Sequence, residues 1–432
     1  MLRLTSLAAV LVGLFLTMSA QANSIDTATY GYPISNPFEA TIGGTPPQLR
    51  APVPDDEDIN QSDYRLSLHG RAGAKRLPDI FWNGSSLPYR LAQQDGPAPL
   101  IFIIAGTGMS YSSGTPDFLK KLFYGAGYHV VQLSSPTSYD FITAASTSST
   151  PGISADDAQD LYRVMEGIQA QHRNLQVTEY HLTGYSLGAL NAAFVSKLDE
   201  QRKSFNFKRV LMLNPPVDLL TSIDNLDRLS EVKLPLEGQK TSFDLIFDKL
   251  ARYFKDKGRI EIDQAMLYDF QSSKERLNTP AMAALIGSAF RFAVADIVFT
   301  SDLINKRGLI SPPQQQFDYG TELVPFFNKA AACNFRCYAE QQLLPMWQAS
   351  HRGGSLQQLN QQVGLHALES YLKHASKIAV MTNADDLILG PGDLSFLRKT
   401  FGPRLSVYPL GGHCGNLDYR VNTDAMLEFF RG

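Results

Sequence analysis

Residues Gly184-Tyr185-Ser186-Leu187-Gly188 constrain this chain more than any other stretch. They fit G-x-S-x-G, and the flanks give the match its meaning. Ahead of the pentapeptide, Val177 to Thr183 carries β-branched and aromatic side chains and reads as a strand. Behind it, Leu187 to Leu198 is rich in alanine and leucine, lacks proline and reads as a helix. A strand that turns at once into a helix forces the central serine into a strained backbone. Only residues without bulk two before and two after it leave room for the turn. The hydroxyl then stands at the carboxyl edge of a sheet, beside a helix N-terminus whose free N–H groups can bind an oxyanion. Ser186 is therefore the candidate nucleophile. The plainer reading is a glycine-flanked helix start with Ser186 as its N-cap.

Strand and helix patterns alternate on both sides of this turn. Pro99 to Ala105 is a continuous apolar run, as a strand covered on both faces requires. A helix over Pro116 to Tyr124 and a strand over His129 to Leu133 follow. Ser154 is expected to N-cap the next helix, with Asp156 and Asp157 in its first turn. Arg209 to Leu213 is another strand. Near the end come strand Lys377 to Thr382, helix Leu394 to Thr400, strand Leu405 to Leu410 and helix Tyr419 to Phe430. Tyr64 to His69 and Leu87 to Ala92 suggest an antiparallel edge. The alternation predicts an α/β chain with a doubly wound, mostly parallel sheet, built from residues 64–218 and 376–432. Between them, residues 219–375 read as helices broken by Gly and Pro, with Met282 to Val298 the most apolar. Such an insertion either caps the carboxyl edge and shapes a pocket or packs elsewhere as a bundle. Residues 23–63 form an irregular leader, and its acidic run Asp55-Asp56-Glu57-Asp58 reads as a solvated loop, since the alternating ligands of an EF-hand are missing.

The first 22 residues carry an address. Arg3, the apolar stretch Leu4 to Met18 and the Ala20-Gln21-Ala22 pattern predict a signal peptide cleaved after Ala22, and a periplasmic or secreted protein. Beyond it no run of 18 apolar residues is expected to span a membrane. A net charge of −3 provides no basic field for nucleic acid. Three cysteines are too few for a disulfide scaffold. Cys333 and Cys337 would pair in an oxidising compartment, or remain as two buried thiols. Neither a metal nor a cofactor is expected: the C-x3-C lacks a histidine pair. Gly106-Thr107-Gly108 also lacks the third glycine and downstream acid of a dinucleotide site.

A serine hydroxyl needs a base. Of eight histidines, His181 lies on the strand leading to Ser186, roughly 16 Å away along it, and reads as a satisfied core residue. His69 and His129 fall in strands, His172 ends a helix, and His351, His366 and His374 belong to the insertion. His413 remains, after the last strand and Gly411-Gly412, at the edge that carries the turn. A carboxylate must orient it. Asp386, after the preceding strand and ahead of Leu387-Ile388-Leu389, is the first choice. Asp218 is an alternative acid whose plainer role is a helix N-cap, and Asp385 is a third, otherwise a local turn former. For the oxyanion, Leu187 supplies one backbone N–H; the second is placed at Thr107, ahead of Met109.

With nucleophile, acid and histidine in the order Ser186, Asp386, His413, the chain resembles the α/β-hydrolase superfamily in its esterase, lipase and serine-aminopeptidase-like branches. The resemblance covers residues 64–218 and 377–432. It implies an eight-stranded, mostly parallel sheet with a large helical cap and an acyl-enzyme on Ser186. The partner expected is a small-molecule or lipid-like ester. A peptidase, amidase or thioesterase would use the same residues, and a non-catalytic binding protein would need one of them missing.

Overall fold

The computed structural model describes residues 23–68, 77–232, 273 and 276–432. The expected signal peptide, residues 1–22, and His69 lie outside the described residues. One sheet organises the molecule. In chain order its strands are β1 (Asn23–Ser24), β2 (Gln61–Leu66), β3 (Leu87–Ala92), β4 (Ala98–Ile104) and β5 (His129–Leu133), followed by β6 (Val177–Tyr185), β7 (Arg209–Leu213), β8 (Ile378–Asn383) and β9 (Leu405–Tyr408). Across the sheet they run β1-β9-β8-β7-β6-β4-β5-β3-β2. Among the described residues only β3 breaks the parallel arrangement, pairing antiparallel with both β2 and β5. Eight strands were expected. The ninth, β1, adds two residues parallel to β9 at the far edge, from the segment read as irregular.

The strands alternate between two apolar layers. Phe102 and Ile104 of β4 face one cluster, with Leu161, Met165, Leu190 and Phe194 from helices Ser154–Gln171 and Leu187–Arg202. Ile101 and Ile103 face the other, with Leu119, Phe123, Met426 and Phe430 from helices Gly114–Gly125 and Arg420–Arg431. A side chain of this size fully withdrawn from water contributes about 1.5–3 kcal/mol. With helices on both faces, β5 and β8 are buried along their whole length, and β4 is buried at all but one position, as its continuous apolar run predicts.

Several expectations are corrected. Ser154 is not the N-cap: Ile153 occupies that position, and the Ser154 hydroxyl donates instead to the Val363 carbonyl at 2.6 Å. The leader holds helices Thr27–Tyr30 and Pro37–Gly43, packed on the segment around His413. In the acidic run, Asp56 accepts from Lys120 at 3.1 Å and Lys121 at 2.8 Å. The hydrogen bond from Lys121 leads the causes that hold its carboxyl well below the usual range.

Within 219–375 the described residues form helices around a third apolar cluster. Its longest, Thr279–Asn305, is long and apolar enough to cross a membrane by length and composition, although Arg291 and Asp296 interrupt its apolar sequence. More than half of that stretch is packed inside the molecule, against helix Leu219–Ser230 and its neighbours. Cys333 and Cys337 form a disulfide just after helix Val324–Ala332, so they are not two helical thiols.

Candidate active site

Register brings the site together. Tyr185 at the end of β6 pairs with Leu213 of β7, Leu213 with Met381 of β8, and Asn383 at the end of β8 with Tyr408 of β9. Residues just past these ends, Ser186, Asn214, Asp386 and His413, therefore share one rim of the sheet.

At the turn, Ser186 has φ 54° and ψ −128°, a conformation few side chains adopt. A Cβ on Gly184 would lie 2.2 Å from the Gly188 carbonyl oxygen, and one on Gly188 would lie 2.2 Å from that of Ile104. Both glycines are thus required by close approach of backbone to backbone. Ser186 does not cap the helix with its side chain; its Oγ lies 2.9 Å from Nε2 of His413. Nδ1 of His413 faces Oδ1 of Asp386 at 2.9 Å and Oδ2 at 3.2 Å. All three are nearly sealed from solvent, with exposures of 8 %, 7 % and 6 % for Ser186, His413 and Asp386.

The carboxylate is fixed in turn. Oδ2 accepts from the Asn214 amide at 2.8 Å and Oδ1 from the Ile388 N–H at 3.1 Å. Asn214 was not singled out from sequence. Its φ of 49° at the end of β7 suits asparagine, which tolerates left-handed backbone, but nothing in the primary structure links it to Asp386. Burial pulls the His413 imidazole down. Burial is the largest single influence, but the Asp386 charge, the neighbouring Cys414 and the hydrogen bonds to both together outweigh it and hold the imidazole well above its ordinary 6.5.

The alternative acids stand elsewhere. Asp218 is the N-cap of helix Leu219–Ser230, accepting from Thr221 N–H at 2.8 Å and from the Asn360 amide at 2.6 Å. Asp385 accepts from the Gly411 and Gly412 N–H groups at 3.2 and 2.9 Å, anchoring the chain just ahead of His413. His181 is buried with Nε2 3.0 Å from Glu179, but its Nδ1 has no partner among the described residues, so it is only half satisfied.

At the start of the loop after β4 most N–H groups are already taken. Ala105 N–H goes to the Leu133 carbonyl, Gly108 N–H to Thr137 Oγ1 and Met109 N–H back to the Gly106 carbonyl. Thr107 N–H has no partner among the described residues, which disfavours Met109 as a donor. Leu187, first residue of its helix, has no intrahelical acceptor for its N–H. Thr107 and Leu187 both line an apolar cavity. Its other walls come mostly from the insertion, with Leu220, Ile297, Phe335 and Leu343. Among the described residues no cluster of His, Cys, Asp and Glu is arranged to hold a metal ion.

A mostly parallel sheet with β3 antiparallel near one edge, a serine at a strand-to-helix elbow and a histidine after the last strand define the α/β-hydrolase fold. No protein-family profile and no curated protein matches the chain. Solved structures do. The peroxisomal α/β-hydrolase Lpx1 of Saccharomyces cerevisiae is 14% identical with a TM-score of 0.42, covering 86% of this chain and 89% of its own. DcsB in complex with a substrate analogue is 13% identical at 0.41, covering 86% and 98%. Est1E of Butyrivibrio proteoclasticus is 10% identical at 0.39, covering 85% and 97%. At such identities no substrate or residue role is transferred from them.

Proposed function

We propose that this protein is a secreted serine hydrolase that cleaves carboxylic esters with an apolar acyl group. The observation that carries the reading is the continuous hydrogen-bonded line from Ser186 Oγ through His413 to Asp386, each step at 2.9 Å. Ser186 Oγ attacks the ester carbonyl carbon while His413 Nε2 takes its proton; Asp386 stabilises the imidazolium formed. The carbonyl oxygen becomes an oxyanion facing the Thr107 and Leu187 N–H groups. Collapse breaks the bond to the alcohol, which leaves with the proton from His413. Water, deprotonated by the same imidazole, then attacks the acyl-enzyme and releases the acid and Ser186. The apolar cavity beside both donors suits the acyl portion, whose burial there is favourable. The Cys333–Cys337 disulfide and the signal-like first residues support an oxidising compartment outside the cytoplasm.

The test is labelling of mature protein with a fluorophosphonate, followed by peptide mapping. Attachment at Ser186, lost in Ser186→Ala, is expected; labelling that survives the substitution sinks the reading. Turnover of short-chain and long-chain esters, set against the matching thioesters and aminoacyl amides, then identifies the bond cleaved.

A further inference from the structure

We infer that the leader segment is part of the catalytic apparatus and that Thr41 is a positioning residue for His413. This rests on the hydrolase reading above. The chain that carries His413 is neither strand nor helix: Gly411, Gly412 and Cys414 take φ of 144°, 55° and 66°. Its backbone groups must therefore find partners outside regular structure. On the sheet side, Asp385 holds the Gly411 and Gly412 N–H groups, and the Asn383 amide donates to the Gly412 carbonyl at 2.8 Å. On the other side the partners all come from the leader. The His413 N–H donates to Thr41 Oγ1 at 2.9 Å, and the Tyr32 hydroxyl donates to the Gly415 carbonyl at 3.1 Å.

The Thr41 hydroxyl is itself committed. It donates to the Pro37 carbonyl at 2.6 Å, so its proton points away and its oxygen presents lone pairs to His413. Helix Pro37–Gly43 is seated with no slack: a Cβ on Gly412 would stand 2.2 Å from the Pro37 oxygen, and one on Gly415 2.0 Å from that of Ala40. Asn36, which caps this helix, also donates to Thr279 Oγ1 of the cap at 3.0 Å. One short helix thus fixes the main chain of His413 while its side chain meets Ser186 and Asp386. Displacement of an imidazole by about 1 Å costs on the order of 100-fold in rate. Anchorage of its own N–H is therefore a catalytic requirement as well as a structural one.

Thr41→Val keeps the shape and removes the acceptor; Thr41→Ser keeps the acceptor. Thr41→Val is expected to lower kcat and the rate of fluorophosphonate labelling about tenfold or more, with KM little changed and the melting temperature near wild type. Thr41→Ser should restore both rates. Wild-type protein that does not label at Ser186 defeats the hydrolase reading itself. Wild type that labels, with Thr41→Val labelling equally fast, overturns only the role of Thr41. Should Thr41→Val fold poorly, hydrogen exchange in wild type decides: the His413 amide is expected to be protected with that of Gly412, and free exchange at His413 overturns the inference.

Discussion

Ser186 and His413 meet at 2.9 Å, yet they reach that point by opposite routes. The elbow is local. One strand, one strained residue and one helix define it, and its two glycines are forced by backbone within five residues or on the adjacent strand. The His413 segment is remote in every contact that matters, held by Asn383 and Asp385 after β8 on one side and by Tyr32 and Thr41 of the leader on the other. The contrast teaches where damage should spread. A change at the elbow disturbs the sheet around it, whereas a change around His413 should spare the fold and alter only alignment and proton affinity.

The sharpest way to break this contrast is Gly188→Ala. Its methyl would meet the Ile104 carbonyl, so a loss of about 3 kcal/mol or more is expected, read as a fall in melting temperature or in soluble yield. A variant as stable as wild type would mean that the elbow is not under the strain assigned to it. On the other side, Asp386→Asn should leave stability nearly intact above the raised His413 pKa and reduce kcat by on the order of 10⁴-fold, because the imidazole loses its oriented tautomer and the charge that stabilises its cation. Asp218→Ala supplies the control: it removes a helix cap, costing about 1 kcal/mol in thermal stability while leaving turnover essentially unchanged. If Asp218→Ala proved the slower enzyme, the acid would be misassigned.

Proton affinity gives the finer tests. In the proposed mechanism His413 must be neutral to accept the Ser186 proton, and Asp386 with Cys414 holds its pKa well above 6.5 against the pull of burial. In wild type the rate should fall as pH drops through that raised value, and kcat/KM against pH should place the acid limb above 6.5. Residual activity of Asp386→Asn should keep its rate to lower pH. The stability linkage has the opposite sense. The stabilisation from a raised folded pKa is fully present below the unfolded value and is lost as pH climbs through the folded one, so denaturation midpoints should decline across that window in wild type. Asp386→Asn should lack that decline. The smallest effect is expected from Asn214→Leu. Removing a donor from Asp386 concentrates its charge and moves the acid limb further up; a downward shift would contradict the geometry.

Legibility followed the same division. Alternating strand and helix patterns, the G-x-S-x-G flanks and the continuous apolar runs are short-range signals, and each placed an element within a few residues of its observed bounds. Asp386 and His413 were reachable because both follow recognisable strands. Asn214, Thr41 and Tyr32 were not. An asparagine before two prolines and a threonine in a Pro- and Gly-rich leader carry no periodicity, and their partners lie far along the chain. The apolar helix Thr279–Asn305 was visible only in its centre, Met282 to Val298; its full length and its burial depend on the helices packed around it.

The order of residues alone determined that a serine would be lifted at the end of a buried strand. Small residues at 184 and 188 and the abrupt change of period leave the backbone few alternatives. Only the tertiary structure decided what that serine faces. Parallel register aligned four strand ends on one rim, and a leader segment with no regular pattern closed over the histidine. Side-chain partners separated by hundreds of residues are chosen by packing in three dimensions, and no local pattern in the chain encodes that choice.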